Sequence, residues 1–407
     1  MKVKVLKFGG TSVGDLERIR NVAQKVKSCV EAGNQVAVVV SAMAGTTNQL
    51  VEWAKQIGPI HDAREYDTIV STGEQVTVGL LSIALQNIGV DARSWLGWQI
   101  PFKTDDVHSA ARIEEINPDD IIRRLNRGQV AVVAGFQGIA PDGRISTLGR
   151  GGSDTSAVAL AAAINADRCD IYTDVDGVYT TDPRVMPKAR KLDSITFEEM
   201  LEMASAGAKV LQTRSVAMAM RHRVNLQVLS SFNDTPGTLV QNEEKQMEKQ
   251  KVSGIAYSAE EAKVTVVGLP DKPGIAAKIF GALAEIYINV DMIVQSASVD
   301  SEKTDITFSV TREELSNAVK NIRNLKDDLA FERLVYDDNI AKISVIGTAM
   351  RTQTGIAKRM FEVLSDKQIN MQVISTSEIK ISVLIQADYT ELAVRSLHDA
   401  FGLDTIG

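Results

Sequence analysis

Cysteine is close to absent. Cys29 and Cys169 are the only two in 407 residues and form no CxxC pair, and the four histidines, His61, His108, His222 and His398, are dispersed. Such a chain supports neither a disulfide framework nor a zinc site, and a reducing cytoplasm is the expected compartment. Positive charge is not in excess either: 45 Lys and Arg against 52 Asp and Glu leave a net charge of −7. That balance excludes a broad electrostatic hold on nucleic acid or anionic membrane, while a local basic pocket for phosphate survives it. No apolar run approaches the roughly 20 residues of an ordinary transmembrane helix. The opening "MKVKVLKFGG" interleaves lysine with apolar residues where a signal peptide would have a continuous apolar core. Walker A and GxGxxG are both missing, which weakens a P-loop or Rossmann reading.

What is present is organised in two halves. Up to about residue 240, runs such as "VKVLKF", "QVAVVVSAM", "QVAVVAGF", "CDIYTDV" and "LQVLSS" alternate with helical patterns. The strands are continuous Val/Ala/Ile stretches, as a sheet covered on both faces requires, so a layered α/β domain with a mostly parallel sheet is expected over 1–240. Ile19, Val22, Ala23, Val26 and Val30 share one stripe of a helix predicted over 15–32, which stops at Gly33. "NDTPGTLVQNEEKQMEKQKV" then breaks the pattern, and 241–262 is expected to be a linker. Beyond it the chain repeats. "KVTVVGLPDKPGIAAKIFGALAEIYINVDMIVQSAS" and "KISVIGTAMRTQTGIAKRMFEVLSDKQINMQVISTS" share the order strand, glycine turn, helix, strand, about 80 residues apart. Two small α+β modules are expected, 263–338 and 339–407, with exchange of strands between them allowed.

Three turns could carry chemistry. In "KFGGTSVG" the glycines Gly9, Gly10 and Gly14 would let backbone amides turn inward beside Lys7, which suits a phosphate; a solvated glycine turn is the plainer alternative. "TLGRGGSD" places Arg150, Gly151 and Asp154 at the head of an apolar helix, where the aspartate could equally be an N-cap. "YTDVDGVYTTDPR" leaves a strand into a loop rich in Asp, Thr and Tyr, which reads as solvent turns or as nucleotide contact. Strand ends of one open α/β sheet converge along one edge, where such folds bind ligands.

In order along residues 7–211, "KFGGTSVG", "VVVSAM", "STGEQVT", "TLGRGGSD", "YTDVDGVYTTDPR" and "GAKVL" resemble the aspartate kinases of the amino acid kinase family, and the repeats resemble the paired ACT domains of those enzymes. The likeness covers essentially the whole chain. It implies an amino-acid-kinase α/β sandwich followed by two ferredoxin-like ACT modules. It further implies transfer of the γ-phosphoryl of ATP, with Mg2+, to the β-carboxylate of L-aspartate, the first step toward lysine, threonine and methionine, under feedback by lysine, threonine or both.

Carried over by motif, Lys7 and Asp154 are the expected catalytic pair. ATP would meet Lys7, Phe8, Gly9, Gly10, Thr173, Asp174, Tyr179, Asp182, Arg184 and Lys209. Aspartate would meet Ser41, Thr46, Thr47, Glu74, Arg150 and Gly151: the guanidinium grips the α-carboxylate with two donors and Glu74 takes the ammonium. Taken alone, Glu74 would read as a helix-cap acid. Effector contacts are expected at Asp271, Gly274, Ile275, Ala276, Asn289, Asp291 and Gln295, and at Asn370, Ser377 and Glu378 in the second copy. These polar groups could also merely finish strand ends. No protein ligand set for a metal is expected, since Mg2+ dehydrates reluctantly and rides on ATP phosphates.

ACT pairing implies a homo-oligomer, and an internal start near Met247 would give a separate regulatory subunit. Many members of the family follow "GAKVL" with His-Pro; this chain has Gln212-Thr213-Arg214, which leaves the contacts after Lys209 open. Two other readings stand beside this one. The same fold could phosphorylate acetylglutamate, glutamate or a nucleoside monophosphate, or a decayed kinase half could leave an amino-acid sensor.

Overall fold

Alternation along one short strand decides where the chemistry can sit. In Val3–Phe8, Leu6 and Phe8 point into an apolar core, so Lys7 must point to the opposite face of the sheet. In this computed structural model, which describes residues 1–58, 62–208, 210–242, 252–297, 303–351 and 355–405, that strand lies near the middle of an eight-stranded sheet. The order is Ser194–Thr196, Thr238–Gln241, Leu226–Ser230, Arg168–Thr173, Val3–Phe8, Gln35–Val40, Val130–Ala134, Ala92–Trp95. The last six run parallel and the first two run opposite to them. The expected mostly parallel sheet is therefore present.

One face of the sheet is covered by helices Leu16–Glu31 and Thr72–Asn87, whose Ile19, Val22, Val26, Val78, Leu81 and Leu85 pack on Leu6, Phe8, Val38 and Val132. Gly135 and Ser153 are small enough to let the start of helix Gly152–Ala163 lie close to the end of strand Val130–Ala134: a Cβ on Gly135 would stand 2.8 Å from that of Ser153. A four-stranded sheet of Ile113–Ile116, Phe102–Thr104, Gln137–Ile139 and Ile145–Thr147 is separate.

The helix predicted over 15–32 is present as Leu16–Glu31, with Asp15 and Ala32 as its caps, and it begins just after the glycine turn. A 3-10 turn, Gly10–Val13, intervenes, and Asp15 caps the helix by accepting the Arg18 amide at 2.8 Å. The amides next to Lys7 therefore belong to the turn, since a carboxylate already occupies the helix end. The helical stretch Ala63–Asn87 has no continuous apolar run of that length; by length and mean composition it could cross a membrane, and half of its apolar window is buried within the fold. Its buried Asp67 and Glu74 hold the surrounding loops, so it serves as a core helix.

The chain divides into two compact units. The first takes its described residues from Met1–Val178, Lys191–Ala204 and Lys209–Gln246, and the second from Tyr179–Arg190, Ser205–Ala208 and Met247–Gly407. The second unit contains one six-stranded sheet, ordered Asp291–Ala297, Lys303–Thr311, Gly254–Pro270, Arg333–Ile346, Lys380–Gln386, Val373–Thr376. Residues expected as linker, from Gly254 onward, are strand. Their Ile255 and Tyr257 pack with the second repeat, whereas Val264 and Val266 of the same strand pack with the first. Strand Arg333–Ile346 is divided likewise: 333–340 pairs in the first module and 340–346 pairs with Gly254–Ser258 and Lys380–Gln386. Met247 and Lys209 fall outside the described residues.

Candidate active site

The six parallel strands end along one edge of the sheet; Lys7, Gly9, Gly10, Ser41, Thr173 and Asp174 stand at three of those ends, and Glu74 and Asp154 come from helices Thr72–Asn87 and Gly152–Ala163. Lys7, only 9% exposed, sits in register between Val39 and Ile171. Its Nζ lies 2.5 Å from Oδ1 of Asp154, in the first turn of helix Gly152–Ala163. Gly9 and Gly10 come immediately after the strand. A Cβ on Gly9 would approach the Lys7 Nζ to 3.3 Å, and one on Gly10 would come within 3.0 Å of the Ala42 carbonyl. The missing side chains leave open backbone beside the ammonium, a cradle a phosphate can enter. Phe8 does not face this space; it is fully buried and stacks on Tyr172 with ring centroids 4.5 Å apart. Its expected nucleotide contact can come only from its backbone.

Ser41 follows the next strand and donates to Ser153 Oγ at 2.8 Å, bringing the "SAM" and "GGSD" turns together. Glu74 is 3% exposed. Its Oε1 accepts the Ala42 amide at 3.0 Å, while Oε2 is buried with no hydrogen-bond partner. Burial pushes this carboxyl up to about 7 against the partial relief of the amide bond. A buried oxygen without a donor awaits a cation. Thr46 opens helix Thr46–Ile57 after Gly45 in the left-handed region and lies against Gly73, with Thr47 next to it, both half-buried. Gly73 must be glycine: a Cβ there would stand 2.6 Å from that of Ala42. Gly73→Ala is expected to cost about 1–3 kcal/mol by overpacking, and a denaturation midpoint equal to the parent's would refute the contact.

Arg150 is exposed, with no side-chain partner among the described residues, and is free to meet an anion. The turn that carries it is fixed from several sides. Gly149 and Gly151 have φ of 75° and 70°, and Gln212 packs so closely on Gly151 that a Cβ would lie 2.1 Å from its Cγ. Arg214 donates to Leu148 O at 2.8 Å and to Ala111 O at 2.7 Å. The chain's departure after "GAKVL" thus supplies two residues that support this turn, which the motif comparison left open. Asp67 also fastens it and was not singled out by the sequence.

The remaining nucleotide candidates separate. Thr173 and Asp174 end strand Arg168–Thr173, with Thr173 Oγ1 donating to Asp174 Oδ1 at 3.0 Å. Tyr179, Asp182 and Arg184 group with the second unit. There Asp182 takes the Arg184 guanidinium at 2.8 Å and the Tyr257 hydroxyl at 3.4 Å, and Thr180 meets His398 Nε2 at 2.9 Å. The arginine beside Asp182 holds its carboxyl below the usual range against burial. Of the effector candidates, Gly274 opens helix Ile275–Glu285 at φ 94°, with Ile275 and Ala276 half-buried behind it and Asp271 exposed. Asn289, Gln295, Asn370, Ser377 and Glu378 are exposed. Asp291 is already engaged: its Oδ2 receives Lys342 Nζ at 2.8 Å, and that buried ammonium also meets Glu261 at 3.0 Å. Burial pushes the Asp291 carboxyl up, but Lys342 outweighs it and the net shift is downward.

Among the described residues no group of three His, Cys, Asp or Glu is placed to hold a metal ion. The described site is one cation braced by one anion beside bare backbone, with a second buried carboxylate and a free guanidinium at hand. Such a set can neutralise a phosphoryl group and orient an acceptor that carries both charges.

Comparison with known proteins agrees with this geometry. The amino acid kinase family matches residues 2–230, and an ACT domain matches 264–324 and 343–401. The aspartate kinase of Stutzerimonas stutzeri is 54% identical over 405 residues, 99% of this chain and 98% of its own. Escherichia coli aspartokinase III in complex with aspartate and ADP, in its R-state, superposes with a TM-score of 0.82 at 28% identity, over 98% of this chain and 99% of that one. Its complex with lysine and aspartate, in the T-state, gives 0.77 at 29% identity, over 98% and 100%. The chain therefore belongs to the amino acid kinase family, among the aspartate kinases that carry ACT domains behind the kinase domain.

Proposed function

We propose that Lys7 neutralises the phosphoryl group in flight from MgATP to the side-chain carboxylate of L-aspartate, giving 4-phospho-L-aspartate, and that Glu74 and Arg150 hold the acceptor by its ammonium and α-carboxylate. The observation that carries this reading is the buried Lys7–Asp154 pair beside Gly9 and Gly10. A loose phosphoryl transition state spreads charge over its equatorial oxygens, so the protein's task is positioning and neutralisation. Asp154 holds the ammonium in place. The attacking carboxylate is already ionised, so no general base is required. The metal supplies charge neutralisation on the ATP phosphates and needs few protein ligands.

Ser41, Thr46, Thr47 and Gly151 line the acceptor side in this reading. Thr173, Asp174 and Lys209 serve the nucleotide. The ACT modules receive a feedback amino acid, lysine or threonine, at the two glycine-headed helices, and pair across two chains. Free Cys29 and Cys169 fit a reducing cytoplasm.

The test is ADP release measured with L-aspartate, L-glutamate, N-acetylglutamate and UMP, then with lysine and threonine titrated separately and together. Turnover with L-aspartate, reduced by at least one of the two amino acids, is the expected result. Preference for another acceptor would overturn the substrate, and absence of turnover with all four would leave only a sensor.

A further inference from the structure

Asp67 is fully buried, yet five donor groups converge on its carboxylate. Thr147 gives its amide at 3.0 Å and its hydroxyl at 2.6 Å. Ser109 gives its amide at 3.0 and 3.1 Å and its hydroxyl at 3.3 Å, and His108 gives Nδ1 at 2.8 Å. An ionised carboxylate only accepts, so His108 must carry its proton on Nδ1. The bonds reach across 41 to 80 residues of chain, and they impose a cost elsewhere: Ser109 is held at φ 66°, a region disfavoured for a residue with a Cβ. Nothing in the phosphoryl chemistry uses this group.

Its position explains it. Asp67 lies seven residues before Glu74 on the helical stretch Ala63–Asn87, and Thr147 lies three residues before Arg150. Between Asp67 and Glu74 the helix is held once more, where Gln137 donates to Ser71 O at 2.7 Å. The Ser109 carbonyl lies under Gly149, 3.0 Å from where a Cβ would be. One buried anion therefore joins the helix that carries Glu74 to the turn that carries Arg150.

We infer that Asp67 is a positioning residue for amino-acid acceptors: its bonds to Thr147 set the spacing between the Glu74 carboxylate and the Arg150 guanidinium, and so select an acceptor whose ammonium and α-carboxylate share one carbon. The inference rests on the proposed roles of Glu74 and Arg150. Displacing either charge by about 1 Å would weaken binding of the acceptor and leave the nucleotide side untouched.

The test is steady-state ADP release for Asp67→Asn, Thr147→Val, Thr147→Ser and Arg150→Ala, with KM determined separately for aspartate and ATP. Asp67→Asn should raise the aspartate KM about tenfold or more, leave the ATP KM within about twofold and change kcat little, the pattern of lost uniform binding. Thr147→Val should raise the aspartate KM about threefold, and Thr147→Ser, which keeps the hydroxyl, should restore it. Added to Arg150→Ala, Asp67→Asn should raise the aspartate KM less than about twofold further. Equal rises in both KM values, full additivity in the double variant, or a lowered melting midpoint with an unchanged aspartate KM would overturn the inference. If Asp67→Asn does not fold, the Thr147 pair decides alone. An unchanged aspartate KM in Arg150→Ala would remove the acceptor reading and this inference with it. A raised KM there, with none in the Asp67 and Thr147 variants, would remove the inference alone.

Discussion

Lys7→Ala is expected to lower kcat about a thousandfold, a loss of about 4 kcal/mol of transition-state stabilisation. The substitution also leaves Asp154, 7% exposed, without the ammonium 2.5 Å away. Breaking a buried pair from one side costs about 3–5 kcal/mol of stability. The two effects separate in the double variant Lys7→Ala/Asp154→Ala, which removes both charges: its melting midpoint should recover toward the parent's while turnover stays low. ADP release from Lys7→Ala within tenfold of the parent, in folded protein, would end the phosphoryl-neutralising role of this lysine.

Glu74→Gln should show opposite signs in two measurements. A glutamine can still accept the Ala42 amide, but it offers no charge to an ammonium, so the aspartate KM should rise about a hundredfold. The same change should stabilise the free enzyme at alkaline pH. Burial raises the Glu74 carboxyl from 4.5 to about 7. Below 4.5 the folded and unfolded chains are both protonated there and nothing is lost. Between 4.5 and 7 the unfolded chain ionises there while the fold keeps the proton, so stability falls by about 3 kcal/mol as pH rises and levels off above 7, where the fold carries a buried carboxylate with one unsatisfied oxygen. The variant escapes that cost, and its advantage over the parent should grow from pH 5 to about pH 7 and stay level from there to pH 8.5 in denaturant melts. In the parent, the aspartate KM should rise as pH falls below 7, when Glu74 takes up a proton. A pH-independent stability difference would show that the carboxyl titrates near its ordinary value.

The parts of the fold that were legible in the sequence are those whose cause is local. Continuous runs such as "QVAVVV" announce a covered strand, the recurring glycine turn before "GIA" announces a repeat, and Lys7 and Asp154 stand at turns with recognisable motifs. Residues that act by long-range hydrogen bonds were not legible. Asp67 reads as an ordinary polar position on an amphipathic helix, because its partners His108, Ser109 and Thr147 lie 41 to 80 residues away. Arg214 stood out only as a departure from the family motif, and its two carbonyl partners identify its task. The start of the second unit was obscured for a different reason: the charged run after Gly237 resembles a linker, but the strand resumes at Gly254, before the first recognisable repeat. Tyr179, Asp182 and Arg184 are nucleotide candidates by resemblance to the family motif alone, and the contacts of Tyr179–Arg190 group that segment with the second compact unit.

The ribbon Gly254–Pro270 has an evolutionary corollary. Its first half completes one repeat and its second half completes the other, and Arg333–Ile346 does the same in reverse. Although the duplication is visible as tandem copies, neither copy can be excised without taking a border strand from its sibling. A deletion confined to one copy would therefore strip backbone pairing from the survivor as well.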